Sequence, residues 1–77
     1  MKFYIFADAW TCVYRIGLPA HGTEYVVENG TRKPASYCSL RSALQAARNH
    51  HTGLTADGLA RLDALIRRET IAAKAVA

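Results

Sequence analysis

Residues 26–50, VVENGTRKPASYCSLRSALQAARNH, span the point where the chain changes from strand to helix. Asn29-Gly30 is the strongest hairpin signal in the sequence, because a type I′ turn needs φ > 0 at both central positions. It predicts a strand from Thr23 to Glu28 ending at that turn. A short strand is expected from Ala35 to Cys38. It belongs at a sheet edge, since Pro34 has no N–H to give to a ladder. Ser39 carries the side chain of an N-cap, and a helix follows over about 40–51. Leu40, Leu44 and Ala47 form its apolar stripe, with Arg41, Gln45 and Arg48 opposite. His50 and His51 complement the dipole at its end, and Gly53 is the stop.

Toward the N-terminus, Lys2 to Ala7 and Trp10 to Ile16 read as two strands joined by a tight turn or bulge at Asp8-Ala9. In the second strand Trp10, Cys12, Tyr14 and Ile16 share the more apolar face and are expected to point at the core. GLPAHG (17–22) has the Gly and Pro of a loop. Toward the C-terminus, Thr55 caps a second helix over about 56–72, with Leu54 and Leu59 spaced as a hydrophobic staple. Leu59, Leu62, Ile66 and Ala73 make its inner stripe. Asp57–Arg61 and Asp63–Arg67 are i,i+4 pairs with the acid first, and the last residues are expected to fray.

All seven aromatics lie before residue 38, and Ala, Leu and Arg at helical spacing follow it. Aromatic and β-branched residues suit pleated surfaces, while Ala, Leu and Arg are good helix formers. A run of strands followed by a run of helices defines an α+β class. The expected architecture is a two-layer single domain over 1–77: a three- or four-stranded antiparallel sheet followed by two helices packed on one face. At 77 residues the chain buries only roughly 60% of its unfolded surface, which leaves little material to wall off a deep pocket. MKFYIFADAW has no long apolar run and is not expected to be a signal peptide. No stretch approaches the ~18 apolar residues of a membrane span. A cytoplasmic setting would keep Cys12 and Cys38 as free thiols, read as small buried hydrophobes on strands.

Chemistry narrows the function classes. The sequence has no G-x-S-x-G, no glycine-rich phosphate loop, no H-E-x-x-H and no C-x-x-C, so neither an enzyme nor a cofactor is expected. His50 and His51 are adjacent on a helix and point about 100° apart, unlike an i,i+4 metal pair. His21 lies in the Pro/Gly loop, and Asp8 is read as a turn residue. The net charge is +4, of which +3 falls after residue 38, and a field of that sign favours an acidic partner. Arg41 and Arg48 are seven apart on a helix without acids, Arg61 and Arg68 repeat the spacing, and Arg32-Lys33 follows the hairpin. Together they could track a phosphate backbone. In the second helix, however, Asp57, Asp63 and Glu69 interleave with the arginines, as on a solvated face.

If the helices cover one side of the sheet, Tyr4, Phe6, Val13, Arg15, Glu24, Val26 and Glu28 share the other. An uncovered apolar patch rimmed by charge marks an interaction surface or a dimer interface. The MKF start, the VVENG hairpin (26–30), and GLARLD (58–63) leading to RRE (67–69) resemble the small phage anti-CRISPR proteins directed against type I CRISPR surveillance complexes. Those proteins are of nearly the same length and share the order of strands, then helices. The resemblance covers the layout of most of the chain through scattered identities. It implies a non-enzymatic inhibitor that acts in the host bacterial cytoplasm. Such an inhibitor binds a subunit of the surveillance complex through its sheet and blocks target DNA. The +4 charge argues against imitation of DNA. The expected partner-binding residues are Tyr4, Phe6, Val13 and Arg15 on the sheet with Arg32 and Lys33 beyond the hairpin. Arg41 and Arg48 form an alternative site. The alternative function is a small basic nucleic-acid-binding regulator, and monomer or homodimer is left open.

Overall fold

The computed structural model describes residues 2–18, 22–30, 32–51 and 53–76. Strands β1 (Lys2–Asp8), β2 (Thr11–Leu18), β3 (Gly22–Asn29) and β4 (Ala35–Tyr37) precede helices α1 (Leu40–His50) and α2 (Ala56–Val76). The strands form one antiparallel meander in the order β1-β2-β3-β4, with both helices on the same face. This is the expected α+β class. His21 and the side chain of Ala73 lie outside the described residues.

Local chemistry explains the elements. Asp8 pairs with Thr11 across a two-residue turn, and Ala9 takes φ +50° at its first position. Such turns need a positive φ there. Trp10 is therefore a turn residue, 71% exposed, and not the start of a strand. At the β3–β4 connection Asn29 remains in β3, paired with Thr11, and the positive φ falls on Gly30 (+58°). The N–H of Arg32 donates to the Asn29 carbonyl at 3.1 Å. The expected type I′ turn with positive φ at both Asn29 and Gly30 is therefore not formed, because Asn29 stays in the ladder and of the two only Gly30 turns left-handed. The β3–β4 ladder begins only after Pro34, at Ala35 opposite Val27, as a residue without an N–H requires. In α1 the Ser39 hydroxyl oxygen accepts from the Ser42 N–H at 3.2 Å, as expected of an N-cap. At α2 the Thr55 hydroxyl oxygen accepts from the Gly58 N–H at 2.9 Å. The helix continues to Val76, beyond the expected end.

The core is Phe6, Val13, Val27, Ala43, Leu44, Ala47 and Leu62, with Leu54, Leu65 and Ile66 packed against it. Each fully buried Leu or Val there stabilises the fold by about 1.5–3 kcal/mol. Two expectations about sheet faces are overturned. Val13 is completely buried and Phe6 nearly so, so neither can anchor a partner. Conversely, Cys12, Tyr14 and Ile16 lie on the face away from the helices. Ala43 and Ala47 bring α1 close to the sheet, and the small side chains of Thr11, Val13 and Val27 fit beneath it where Tyr14 would not. The second error comes from a bulge. Tyr4 pairs with Tyr14 while Phe6 pairs with Val13, so Ile5 is an extra residue in β1. An extra residue reverses the alternation. Tyr4 therefore faces outward and Phe6 inward, although they are two apart.

Candidate binding face

Cross-strand register builds the uncovered face in three rows. Lys2, Ile16 and Glu24 form the first, Tyr4, Tyr14, Val26 and Ser36 the second, and Ala7, Cys12 and Glu28 the third. At its centre the Tyr14 hydroxyl donates to the Glu28 carboxylate. The Lys2 ammonium lies 3.7 Å from Glu28 Oε2 and 4.7 Å from the centre of the Tyr14 ring. Tyr4 packs on Tyr14 with ring centres 5.4 Å apart at 57°, the tilted arrangement that aromatic quadrupoles favour. Tyr14 is only 5% exposed, whereas Tyr4 above it is 56% exposed. Side chains of the face itself bury Tyr14.

Electrostatics follow from the geometry. The Glu28 hydrogen bond, then burial and the Glu28 charge, push the Tyr14 phenol up to about 12. Cys12 is also raised, first by burial and then by the charge of Glu28. It is therefore a poor nucleophile at neutral pH. Cys12 is half-buried, and Cys38 is exposed just past β4, so the latter is not the buried hydrophobe expected. Lys2 is the one cation in the three rows, against Glu24 and Glu28. The open face is thus neutral to acidic although the chain is basic.

Of the eight expected partner-binding residues, only Tyr4 joins this cluster. Phe6 and Val13 lie in the core. Arg15 is on the helix side of the sheet, its guanidinium 4.8 Å over the Phe3 ring. Arg32 and Lys33 are exposed in the β3–β4 connection, and Arg41 is exposed on α1. Arg48 is half-buried and committed to Asp63, its Nε donating at 2.9 Å, so it does not join Arg41 as a free pair. Asp63 was expected to pair with Arg67 in its own helix. It fastens α2 to α1 instead. Glu24, Val26 and Glu28 were correctly grouped on the outer face. Lys2 and Tyr14 were missed, and the available signal was the registration of Tyr14 against Val26 next to Glu28.

Asp8 is not merely a turn residue. Its Oδ2 accepts from the Thr55 N–H at 2.9 Å and from the Thr55 hydroxyl at 3.0 Å. Arg61 approaches it at 3.6 Å, and also pairs with Asp57 at 3.1 Å as the i,i+4 spacing predicts. A carboxylate at a helix N-terminus is stabilised by the orphan N–H groups and the dipole there. Asp8 thereby pins the sheet to α2. Its carboxylate occupies the space a Cβ on Gly58 would take.

Among the described residues no group of three or more His, Cys, Asp or Glu could hold a metal ion, and no helix is long and apolar enough to cross a membrane. The chain matches no protein-family model, no curated protein and no solved structure.

Proposed function

We propose that this chain is a phage-encoded inhibitor that binds a subunit of a type I CRISPR surveillance complex through its open sheet face and blocks target DNA. The observation that carries the binding half is the Lys2–Tyr4–Tyr14–Glu28 cluster, built on a rigid sheet with no helix over it. Its hydrogen bonds and stacking are made within one chain, so little side-chain entropy is lost on docking. Tyr is a residue type enriched at binding hot spots. The inhibitory half rests on the likeness in layout to small anti-CRISPR proteins.

The charge of the face refines the partner. An exposed Tyr4 beside Glu24 and Glu28 suits a surface offering Arg or Lys, which can stack on the ring and pair with the carboxylates. Nucleic-acid-binding subunits offer such surfaces. The partner surface expected from net charge alone, acidic or mixed, is replaced by a basic or mixed one.

The test is target-DNA binding by a purified type I complex with an excess of this protein, with a lane of protein and DNA alone. Loss of binding that is restored by Tyr4→Ala, with no shift in the control lane, is expected. Undiminished DNA binding across type I complexes would sink the inhibitor reading. Inhibition that survives both Tyr4→Ala and Glu24→Lys would sink the assignment of the face.

A further inference from the structure

The positive charge of this protein is not spread over it. Residues 29–56 contain Arg32, Lys33, Arg41 and Arg48 and no Asp or Glu, and the other six Lys/Arg are matched by six Asp/Glu. This segment therefore carries the formal +4, of which Arg48 is paired with Asp63 of α2, leaving Arg32, Lys33 and Arg41 as its unpaired cations among the described residues. That segment folds as the β3–β4 connection, the edge strand β4, and α1, which packs over β2, β3 and β4. The Gly30 N–H donates to the Trp10 carbonyl at 2.7 Å, and Gly53, just past α1, lies against Trp10. The Arg32-Lys33 connection and the C-terminal end of α1 are thus at the same end of the molecule. Arg41 is at the other end of α1, roughly 15 Å away at 1.5 Å per residue.

Between these poles runs a groove of about 420 Å³, lined by Tyr37, Arg41, Gln45, Asn49 and His50 among others. Its size is within the range of small-molecule sites, about 300–1,000 Å³. Arg41, Gln45 and Asn49 are at i, i+4 and i+8 and are exposed on one face of α1. The Gln45 amide donates to Asn49 Oδ1 at 3.1 Å. That bond uses the Gln45 NH₂ and the Asn49 oxygen, so the Gln45 oxygen and the Asn49 NH₂ remain as an acceptor and a donor on this exposed helix face. The exposed part of Tyr37, which otherwise packs against the core, a cation, and an amide acceptor and donor are groups of the kind that hold a base and its phosphate.

We infer that the β4–α1 edge is a second binding face, fitted to a single-stranded nucleic acid. One base stacks at Tyr37 and bonds Gln45 and Asn49, while Arg41, His50 and the Arg32-Lys33 connection follow the sugar–phosphate chain. An acidic protein surface would meet the same charge, but it has no use for the exposed part of Tyr37 and the amide pair. This face lies apart from the Tyr4 cluster, so its test is separate from that of the inhibitor reading.

The probe is a fluorescently labelled oligothymidine of about twelve nucleotides, within the usual site sizes for single strands, read by anisotropy against the full chain. Three phosphate contacts give a slope of roughly −2 in log affinity against log salt, or about a twentyfold loss between about 50 and 200 mM NaCl. Arg41→Gln and Lys33→Gln, both at exposed positions, should each weaken binding and flatten that slope, while Tyr4→Ala leaves it unchanged. An abasic strand of equal length should bind about fivefold more weakly, the low end for loss of one stacked base. No binding at the lower salt would overturn the proposal. Equal binding of the abasic strand, or equally effective competition by polyglutamate, would overturn it as well, because either leaves only unspecific attraction.

Discussion

Asp8 and Gly58 make opposite demands on the same space, which sets up a double-mutant cycle with a change of sign. Alanine is about 1 kcal/mol better than glycine inside a helix, so Gly58→Ala in α2 ought to stabilise on propensity alone. In this fold the added methyl would overlap the Asp8 carboxylate. The carboxylate must move away and give up its bonds to the Thr55 N–H and hydroxyl. Hydrogen bonds to a charged group contribute about 1.5–3 kcal/mol, and the half-exposed Arg61 adds little. The net effect of Gly58→Ala is then a loss of about 1–2 kcal/mol, with propensity offsetting part of the damage. Asp8→Ala alone should cost about 2–3 kcal/mol, a shift of roughly 10–20 °C in Tm for a domain of this size. In the Asp8→Ala background the obstruction is gone, and Gly58→Ala should stabilise by up to about 1 kcal/mol. Urea titrations followed by circular dichroism measure all four corners. If Gly58→Ala had the same sign and size in both backgrounds, the docking of Asp8 on α2 would be wrong.

Other perturbations probe separate links. Ala9→Gly should raise stability by about 0.5–1 kcal/mol, since φ +50° is costly for any residue with a Cβ; a lower Tm would contradict the turn geometry. Because the fold holds the Tyr14 phenol above its ordinary value of 10.0, at about 12, the neutral form is favoured in the native state. The stability it contributes is complete below pH 10 and is lost as pH rises through 12. Glu28→Gln should bring the latest tyrosinate transition in an ultraviolet titration back toward the ordinary range, and an unmoved transition would mean that Glu28 is not the cause. Arg48 and Asp63 are both partly exposed, so a double-mutant cycle between them should give only about 0.5 kcal/mol. A coupling several times larger would make the clasp between α1 and α2 a buried one.

The strand and helix content was legible because each signal was local. Ser39 and Thr55 cap helices through atoms only three residues ahead, and the change from aromatic to Ala/Leu composition marks the boundary between sheet and helices. The faces of the sheet were not legible. β1 is apolar on both sides, and its bulge at Ile5 carries no glycine or other marker, so simple alternation placed Phe6 beside Tyr4. In β2 the bulkier set looked like the core, yet close approach of α1 selects small side chains. The role of Asp8 depends on a contact 47 residues away, and the Lys2–Tyr14–Glu28 contacts depend on register across three strands. None of these distances is written in a short window of sequence.

The extra residue in β1 has a bearing on how this protein can change over generations. Ahead of Ile5, Lys2 and Tyr4 project from the open face, and substitutions there touch Tyr14 but not the core beneath the helices. After it, Phe6 and Asp8 are tied to the core and to the start of α2, where almost any replacement endangers folding. A single seven-residue strand thus separates a stretch free to diversify from one held fixed, with the boundary at one side chain. Positions 2 and 4 can therefore be redrawn on the open face with no need to rebuild the scaffold behind it.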